Sequence, residues 1–147
     1  MTIKQLNGRT IRVDVAPGEV IDKITILEIK QQRISDRAKQ RNVTTELNVL
    51  NEALRRHIES SHQLQQIQAA LRDVNGQLWD IEDEIRVCER DKNFGPKFIQ
   101  LARAVYQTND RRAALKREIN ELLGSAIIEE KDYQDYSSPD SSSTPSN

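Results

Sequence analysis

The chain is poor in the residues from which many familiar sites are built. It has one cysteine, five glycines and 4% aromatic residues in 147 positions. The single Cys88 excludes an intramolecular disulfide and any zinc site made from several cysteines. The sequence also contains no glycine-rich phosphate loop and no nucleophile-elbow motif. These absences favour a protein that is not an enzyme, and they predict no catalytic residues and no cofactor.

An excess of charge of one sign is also absent. Lysine and arginine number 22, aspartate and glutamate number 23, and the net charge is −1 with both signs interspersed. Such a chain has no basic field of the kind that draws proteins to nucleic acids or bilayers. No apolar run approaches the roughly 18 residues of a membrane span, and the N-terminus lacks the apolar core of a signal peptide. We therefore predict a cytoplasmic protein with no nucleic-acid partner and no membrane insertion.

What the chain has in quantity is charge combined with helical spacing of its apolar residues. Charged residues make up 31% and hydrophobic residues 36%, a balance typical of long amphipathic helices. Apolar residues at spacings of three and four predict three helices, over residues 18–39, 44–91 and 96–123. Because the connections are short, neighbouring helices should run antiparallel. The predicted fold is mainly α: an elongated antiparallel helical hairpin or coiled-coil-like bundle with a long central helix.

The long helix carries two irregularities. Its apolar phase slips between Leu54 and Leu64, which we interpret as a local change in the winding of one continuous helix. Further along, the helix either continues through Asn75-Gly76 or kinks there, since glycine costs about 1 kcal/mol in a helix interior. The whole of residues 1–131 is predicted to form a single domain, followed by a disordered tail rich in serine and proline over residues 132–147.

Residues 1–16 are predicted to form a short β-hairpin or strand before the helices. Asn7-Gly8 is a favoured hairpin turn, and Ile11, Val13 and Val15 alternate with polar residues behind it. A lone hairpin is marginally stable in water. This one should therefore lie on the helices or pair with another chain.

The first helix has more apolar surface than one partner can cover. Val20, Ile24 and Leu27 belong to one packing seam, yet three further isoleucines lie well off it. These three are Ile21, Ile26 and Ile29. The pattern predicts a second partner for this helix, either the hairpin or a second subunit, and it is our reason to predict a homodimer.

The last helix places three polar residues on its own apolar stripe. At 100° per residue, Asn109, Arg112 and Lys116 fall on the line that Val105 and Ile119 define. An amide, a guanidinium and an ammonium on a packing face require partners or a ligand.

Antiparallel folding brings this polar stripe beside Asp73 and Asn75 of the long helix. Two hypotheses follow for the five residues Asn109, Arg112, Lys116, Asp73 and Asn75. They form a partly buried ion-pair network that fixes the register of the helices. Alternatively, they line a small hollow for a phosphate or carboxylate, which a guanidinium and an ammonium one turn apart would suit.

Two other clusters are given structural roles. The acids and arginines around Trp79, in "LWDIEDEIRVCER", are interpreted as a solvated charged face. Glu59 and His62 form a single Glu-x-x-His, whereas di-metal helical bundles use two such motifs with further glutamates. No metal site is predicted.

Three segments taken together resemble a known family: "PGEVIDKITILEIKQQRI", "LWDIEDEIR" and "FIQLARAVYQTNDRRAALKREIN", followed by "GS" and "EEKDY". The family consists of small bacterial proteins with a domain of unknown function, and the resemblance covers roughly residues 11–136. The resemblance implies a setting in lipopolysaccharide and other surface-glycan synthesis, where such genes lie. It implies no catalytic or binding residues.

Two functions are consistent with these observations. The first is a non-catalytic helical scaffold or protein-interaction module, accessory to surface-polysaccharide biosynthesis, with a protein partner in glycan assembly. The second is a small anionic-ligand-binding protein or an all-helical enzyme acting on a sugar phosphate or nucleotide sugar, since positioning and electrostatics alone can catalyse.

Overall fold

The computed structural model describes residues 8–138 of the chain. Helices account for 72% of these residues, so the mainly α prediction is confirmed. There are four helices rather than three: α1 is Pro17–Arg33, α2 is Arg37–His57, α3 is His62–Arg90 and α4 is Pro96–Leu122.

The predicted N-terminal β-hairpin is wrong for the part of it that is described. No strand occurs in residues 8–138, and residues 9–16 have no regular secondary structure. The alternating Ile11, Val13 and Val15 are 89%, 69% and 51% exposed. Alternation reports β-propensity, but a strand also needs an edge to pair with, and this all-helical fold offers none. Residues 1–7 of the predicted hairpin lie outside the described residues.

The prediction of one long central helix is also wrong, because the helix is interrupted between α2 and α3. Helix α2 ends at His57, and α3 begins at His62 after the cap residue Ser61, whose hydroxyl accepts a hydrogen bond of 3.1 Å from the Leu64 backbone N–H. A capping serine satisfies an otherwise unpaired donor of the first turn. The slip in apolar phase therefore marks a helix boundary. Asn75-Gly76, by contrast, lies within one continuous α3.

The first helix is also shorter than predicted, because a capping side chain begins the next helix earlier. The Asp36 carboxylate accepts a hydrogen bond of 2.9 Å from the Lys39 backbone N–H and begins α2, while α1 stops at Arg33. The boundaries of α4 agree closely with the prediction. Pro96 is its first residue, and Gly124 takes up a positive φ of 63° just beyond its end, a conformation that suits glycine.

Helix α1 lies at the centre and packs against each of the other three helices. One core cluster joins Ile21 of α1 to Leu71 of α3 and Ile119 of α4, and a second joins Ile24 and Leu27 of α1 to α2.

Of the three extra isoleucines of α1, Ile21 and Ile29 are buried within the single chain, whereas Ile26 is half-buried and borders both open grooves beside α1. Most of the face that predicted a second partner is thus covered by the chain's own helices, and the homodimer stays a prediction.

After α4, residues 125–136 form what we call the C-terminal segment, which runs back along α4. Its Glu129 contacts Lys116, and its Tyr136 donates a hydrogen bond of 2.7 Å to the Asp110 carboxylate. Within the predicted tail, residues 132–138 have no regular secondary structure, and residues 139–147 lie outside the described part. No helix among the described residues has the length and apolar character needed to cross a membrane.

Candidate functional site

A carboxylate on α1 is the centre of a buried polar network. Asp22 is only 3% exposed. The Arg112 guanidinium of α4 donates to both of its oxygens, with Nε–Oδ1 at 2.9 Å and Nη2–Oδ2 at 2.5 Å. This bidentate geometry is the strongest form of side-chain ion pairing. The hydrogen bond with Asp22 raises the pKa of Arg112, against the opposing effect of burial.

The third helix reaches the same carboxylate through an amide. Asn75 of α3 donates one hydrogen bond of 2.9 Å to Asp22 Oδ1 and another of 2.8 Å to Thr25 Oγ1. Thr25 in turn donates to the backbone carbonyl of Asp22 at 2.7 Å. Because Asp22 and Thr25 lie one turn apart on α1, both face the groove between α3 and α4. A single acid thus connects three helices.

One turn further along α4, Lys116 makes a second ionic cluster. Its ammonium lies 2.5 Å from Glu19 Oε1 of α1 and 3.0 Å from Glu129 Oε2 of the C-terminal segment. Burial lowers the pKa of Lys116, but its hydrogen bonds with Glu19 and Glu129 more than offset that effect, so the pKa is raised. The same contact, through its hydrogen bond, lowers the pKa of Glu129.

The start of α1 touches α4 directly. The Gly18 backbone N–H donates a hydrogen bond of 2.7 Å to Asn120 Oδ1, and a Cβ at Gly18 would lie 2.6 Å from the Lys116 carbonyl oxygen. The cap residue Ala16 has no side chain able to accept a hydrogen bond. Asn120 therefore caps α1 from another helix, and glycine is required because the backbones approach so closely.

Of the five residues predicted to form a site, the structure brings two into one network and places a third in the neighbouring ionic cluster. Arg112 and Asn75 meet at Asp22, and Lys116 lies one turn away. Asn109 is half-buried beside Asn75 and Arg112 at the rim of an open groove. Asp73 is exposed on another face of α3, where it accepts a hydrogen bond of 3.0 Å from Gln77.

Sequence reasoning missed the acids that neutralise these cations. They are Asp22, Glu19 and Glu129. For Asp22 a signal was present, because it stands among isoleucines on the most apolar helix of the chain, where an unpaired carboxylate would be costly. Every buried side-chain nitrogen or oxygen in the described residues has a hydrogen-bond partner. The geometry accordingly resembles a register-fixing network, with its cationic groups already matched by carboxylates.

Two open grooves flank the network. The first, with a volume of about 460 Å³, lies between α1, α3 and α4, and it is bordered by Ile29, Trp79 and Asn109. The second, with a volume of about 960 Å³, lies between residues 11–15, α1 and α2. We call the second one the N-terminal groove. Its apolar wall on the helices is made by Val20, Ile26, Val49, Leu50 and Ala53.

The other candidate clusters have ordinary surface contacts. Glu82 and Arg86 form an exposed ion pair within α3, and the Arg33 guanidinium lies over the Trp79 ring at 5.8 Å. His62 is the first residue of α3, and Glu59 lies in the connection before it. Across residues 8–138 no three histidine, cysteine or acidic side chains are grouped so as to hold a metal ion.

Comparison with known proteins identifies the family of the chain. Residues 11–147 match a family of unknown function, DUF6165, and the chain belongs to it. No curated protein and no solved structure matches the chain.

Proposed function

We propose that this protein is a non-catalytic, cytoplasmic helical scaffold that works through protein contacts and forms a homodimer. One observation carries the proposal: the three apolar side chains of residues 11–15 stand exposed beside the N-terminal groove, whose helical wall has an apolar part made by Val20, Ile26, Val49, Leu50 and Ala53 among charged side chains. Exposed contiguous apolar surface is typical of protein-interaction sites.

The buried network supports the same proposal. The Arg112 and Lys116 charges are paired with Asp22, Glu19 and Glu129, so an incoming anion would have to displace a carboxylate that is already well placed. Separating Arg112 from Asp22 would leave a buried charge uncompensated, which is costly. A role in holding α1, α3 and α4 together accounts for these residues without a ligand.

The setting that we propose is surface-polysaccharide biosynthesis, lipopolysaccharide included, with a glycan-assembly protein as partner. It rests on the family resemblance described above. Deletion of the gene should change the polysaccharide profile of the cell, wild type should restore it, and Val13→Asp should not. An unchanged profile in the deletion strain would contradict this setting.

In-cell photo-crosslinking tests the scaffold proposal. A photoreactive amino acid at Val13 should give discrete crosslinked protein species, because Val13 lies at the N-terminal groove. The same amino acid at the exposed Glu118 of α4 serves as the control and should give none. If Val13 crosslinks no more than Glu118 does, the N-terminal groove is not a contact surface and the proposal is wrong.

The groove beside Asn109, Asn75 and Arg112 favours a second candidate, a small anionic-ligand-binding protein or all-helical enzyme acting on a sugar phosphate or nucleotide sugar. A ligand that binds only the folded state raises its melting temperature. Thermal-shift measurements with glucose 1-phosphate and UDP-glucose at millimolar concentration therefore test it. A saturable shift that Asn109→Ala abolishes would support this candidate, and no shift would exclude it for these compounds.

A further inference from the structure

We propose that residues Ile11–Val15 pair as an antiparallel β-strand with the same residues of a second copy, so that Arg12 of each chain faces Asp14 of the other. This inference rests on the homodimer proposed above and names its interface. It begins from the exposed side chains of this segment, which the helical fold of one chain leaves uncovered.

The sequence of the segment, I-R-V-D-V, is complementary to itself. A two-fold axis brings identical surfaces together, so a strand that pairs with its own copy runs antiparallel. With Val13 on the axis, Val13 faces Val13, Ile11 faces Val15, and both Arg12–Asp14 pairs are formed. Opposite charges directly across an antiparallel pair stabilise it, as do paired β-branched residues.

Neighbouring registers lack this match. An axis through Arg12 would set the two Arg12 side chains against each other, and an axis through Asp14 would do the same for the two carboxylates. Like charges directly opposite are destabilising. A shift by a single residue would set apolar side chains opposite charged ones. One register therefore satisfies both the charges and the apolar face.

The segment is available for such pairing. No residue in the described range 8–138 forms a backbone–backbone hydrogen bond with residues 9–15; the first one in this region runs from the Glu19 N–H to the Ala16 carbonyl. Pro17 begins α1 and has no N–H to donate, so the strand would end at Ala16. Its length of five paired residues is within the usual range for strands.

The N-terminal groove supplies the apolar packing surface that a two-stranded ribbon lacks on its own. An isolated pair of strands is marginal in water. Here Ile11, Val13 and Val15 border a groove whose opposite wall includes Val20 and Leu50. Arg12 also borders this groove in the single chain. In the ribbon, the apolar face would lie over the grooves of both chains and the Arg12–Asp14 face would turn to solvent.

Charge reversal tests the register. Arg12→Asp sets two carboxylates against each other in both cross-strand pairs, and Asp14→Arg sets two guanidinium groups against each other. Each single variant should therefore weaken the dimer about tenfold in sedimentation experiments on the full chain. The double variant Arg12→Asp/Asp14→Arg restores both pairs and should recover wild-type affinity.

Mixing the two single variants is a second test of the same Arg12–Asp14 pairs. An equimolar mixture of the two single variants should form a heterodimer, since one chain carries two acids in the segment and the other carries two arginines. The effects of all these changes should shrink at high salt, because exposed charges are screened.

Cysteine crosslinking tests the same register with variants that leave the charges of Arg12 and Asp14 unchanged. Val13 faces its own copy, so Val13→Cys should oxidise to a covalent dimer. Ile11→Cys also leaves the charges intact but places its thiols four positions apart along the ribbon, roughly 13 Å between backbones, and should not crosslink. The native Cys88 is buried and does not interfere. Circular dichroism should show every variant folded, because all the altered side chains are exposed.

The outcomes separate this inference from the function on which it rests. If the dimer affinity is unchanged in all the charge variants, the strand pairing is wrong but the homodimer is still supported. A wild-type chain that stays monomeric at every soluble concentration would overturn both the pairing and the homodimer. In that case, crosslinking at Val13 to a different protein in cells would still support the scaffold.

Discussion

Arg112 and Asp22 are separated by 90 residues in the sequence and joined by two parallel hydrogen bonds in the fold. Their contact links α4 to α1, and the Asn75 amide links α3 to the same carboxylate. Since the bidentate geometry tolerates little rotation or sliding, the contact fixes how far α4 is displaced along α1. Apolar packing alone would permit neighbouring registers more readily.

Removing this guanidinium should destabilise the fold. Arg112→Leu leaves Asp22 buried without its counter-charge, and we expect a loss of about 2–3 kcal/mol in the free energy of unfolding, somewhat less than for a fully buried pair because Arg112 is partly exposed. Urea unfolding measures this. The neighbouring Arg111 is exposed and contacts Gln77, so Arg111→Leu should change stability by less than about 0.5 kcal/mol. Equal effects of the two changes would contradict a structural role for the network.

Two glycines in helices should respond to alanine in opposite directions. At Gly18 the added methyl group would lie 2.6 Å from the Lys116 carbonyl oxygen, and overpacking of this kind costs about 1–3 kcal/mol. At Gly76, within α3, nothing lies within 4 Å of the new Cβ, and alanine should stabilise by about 0.4–1 kcal/mol. Thermal and urea unfolding of the two variants test the pair together. A stable Gly18→Ala variant would mean that α1 and α4 do not approach as closely as described.

The cap that α4 provides for α1 should be measurable. Asn120→Ala removes the acceptor of the Gly18 N–H and leaves a buried donor unpaired, which costs about 1–3 kcal/mol. Asn51 is an exposed asparagine of α2, and Asn51→Ala should stay within about 0.5 kcal/mol of wild type. Amide hydrogen exchange should also show faster exchange at the start of α1 in Asn120→Ala. Unchanged exchange there would argue against capping by Asn120.

The attachment of the C-terminal segment to α4 should depend on pH. The Lys116 hydrogen bond lowers the pKa of Glu129, so this contribution is fully present above the usual glutamate pKa and is lost as the pH falls through the lowered value. The amide NMR signals of Ile127 and Ile128 should therefore move towards those of an unattached segment in acid.

Glu129→Gln should show the unattached signals already at neutral pH. Glu130 is the matched control, because its contact with Arg117 is longer, at 3.4 Å, and 75% of its side chain is exposed. Glu130→Gln should follow the wild-type pH profile. If both variants behave alike, Lys116 does not anchor the segment.

Some of the fold could be predicted because its signals are local. Pro96 and Gly124 set the ends of α4 through their own backbone preferences. Asp36 and Ser61 carry equally local capping signals, but apolar periodicity continues across both, so the prediction places the end of α1 six residues too late, at 39 rather than 33, and misses the break between α2 and α3. The exposed Ile11, Val13 and Val15 show where a local signal is insufficient. Their alternation indicates strand propensity, but it does not determine whether another strand is present to pair with.

The site was predictable only in part. Antiparallel folding correctly suggested that the polar stripe of α4 would meet α3 near Asn75. It did not identify Asp22 as the common partner, because Arg112 could have paired with any of several acids in a chain with 23 of them. Asp73 was included for its nearness to Asn75 in sequence, yet two positions correspond to about 200° around a helix.

By itself, the sequence determined the helical class, four of the eight helix ends and the residues that must avoid water, since these depend on properties that each short segment carries with it. The tertiary structure decided which faces of α1 are covered, which carboxylate neutralises each cation and which apolar residues remain exposed. Those outcomes depend on distances between helices far apart in the chain. Such distances are set by the packing of all four helices at once, and no single segment encodes them.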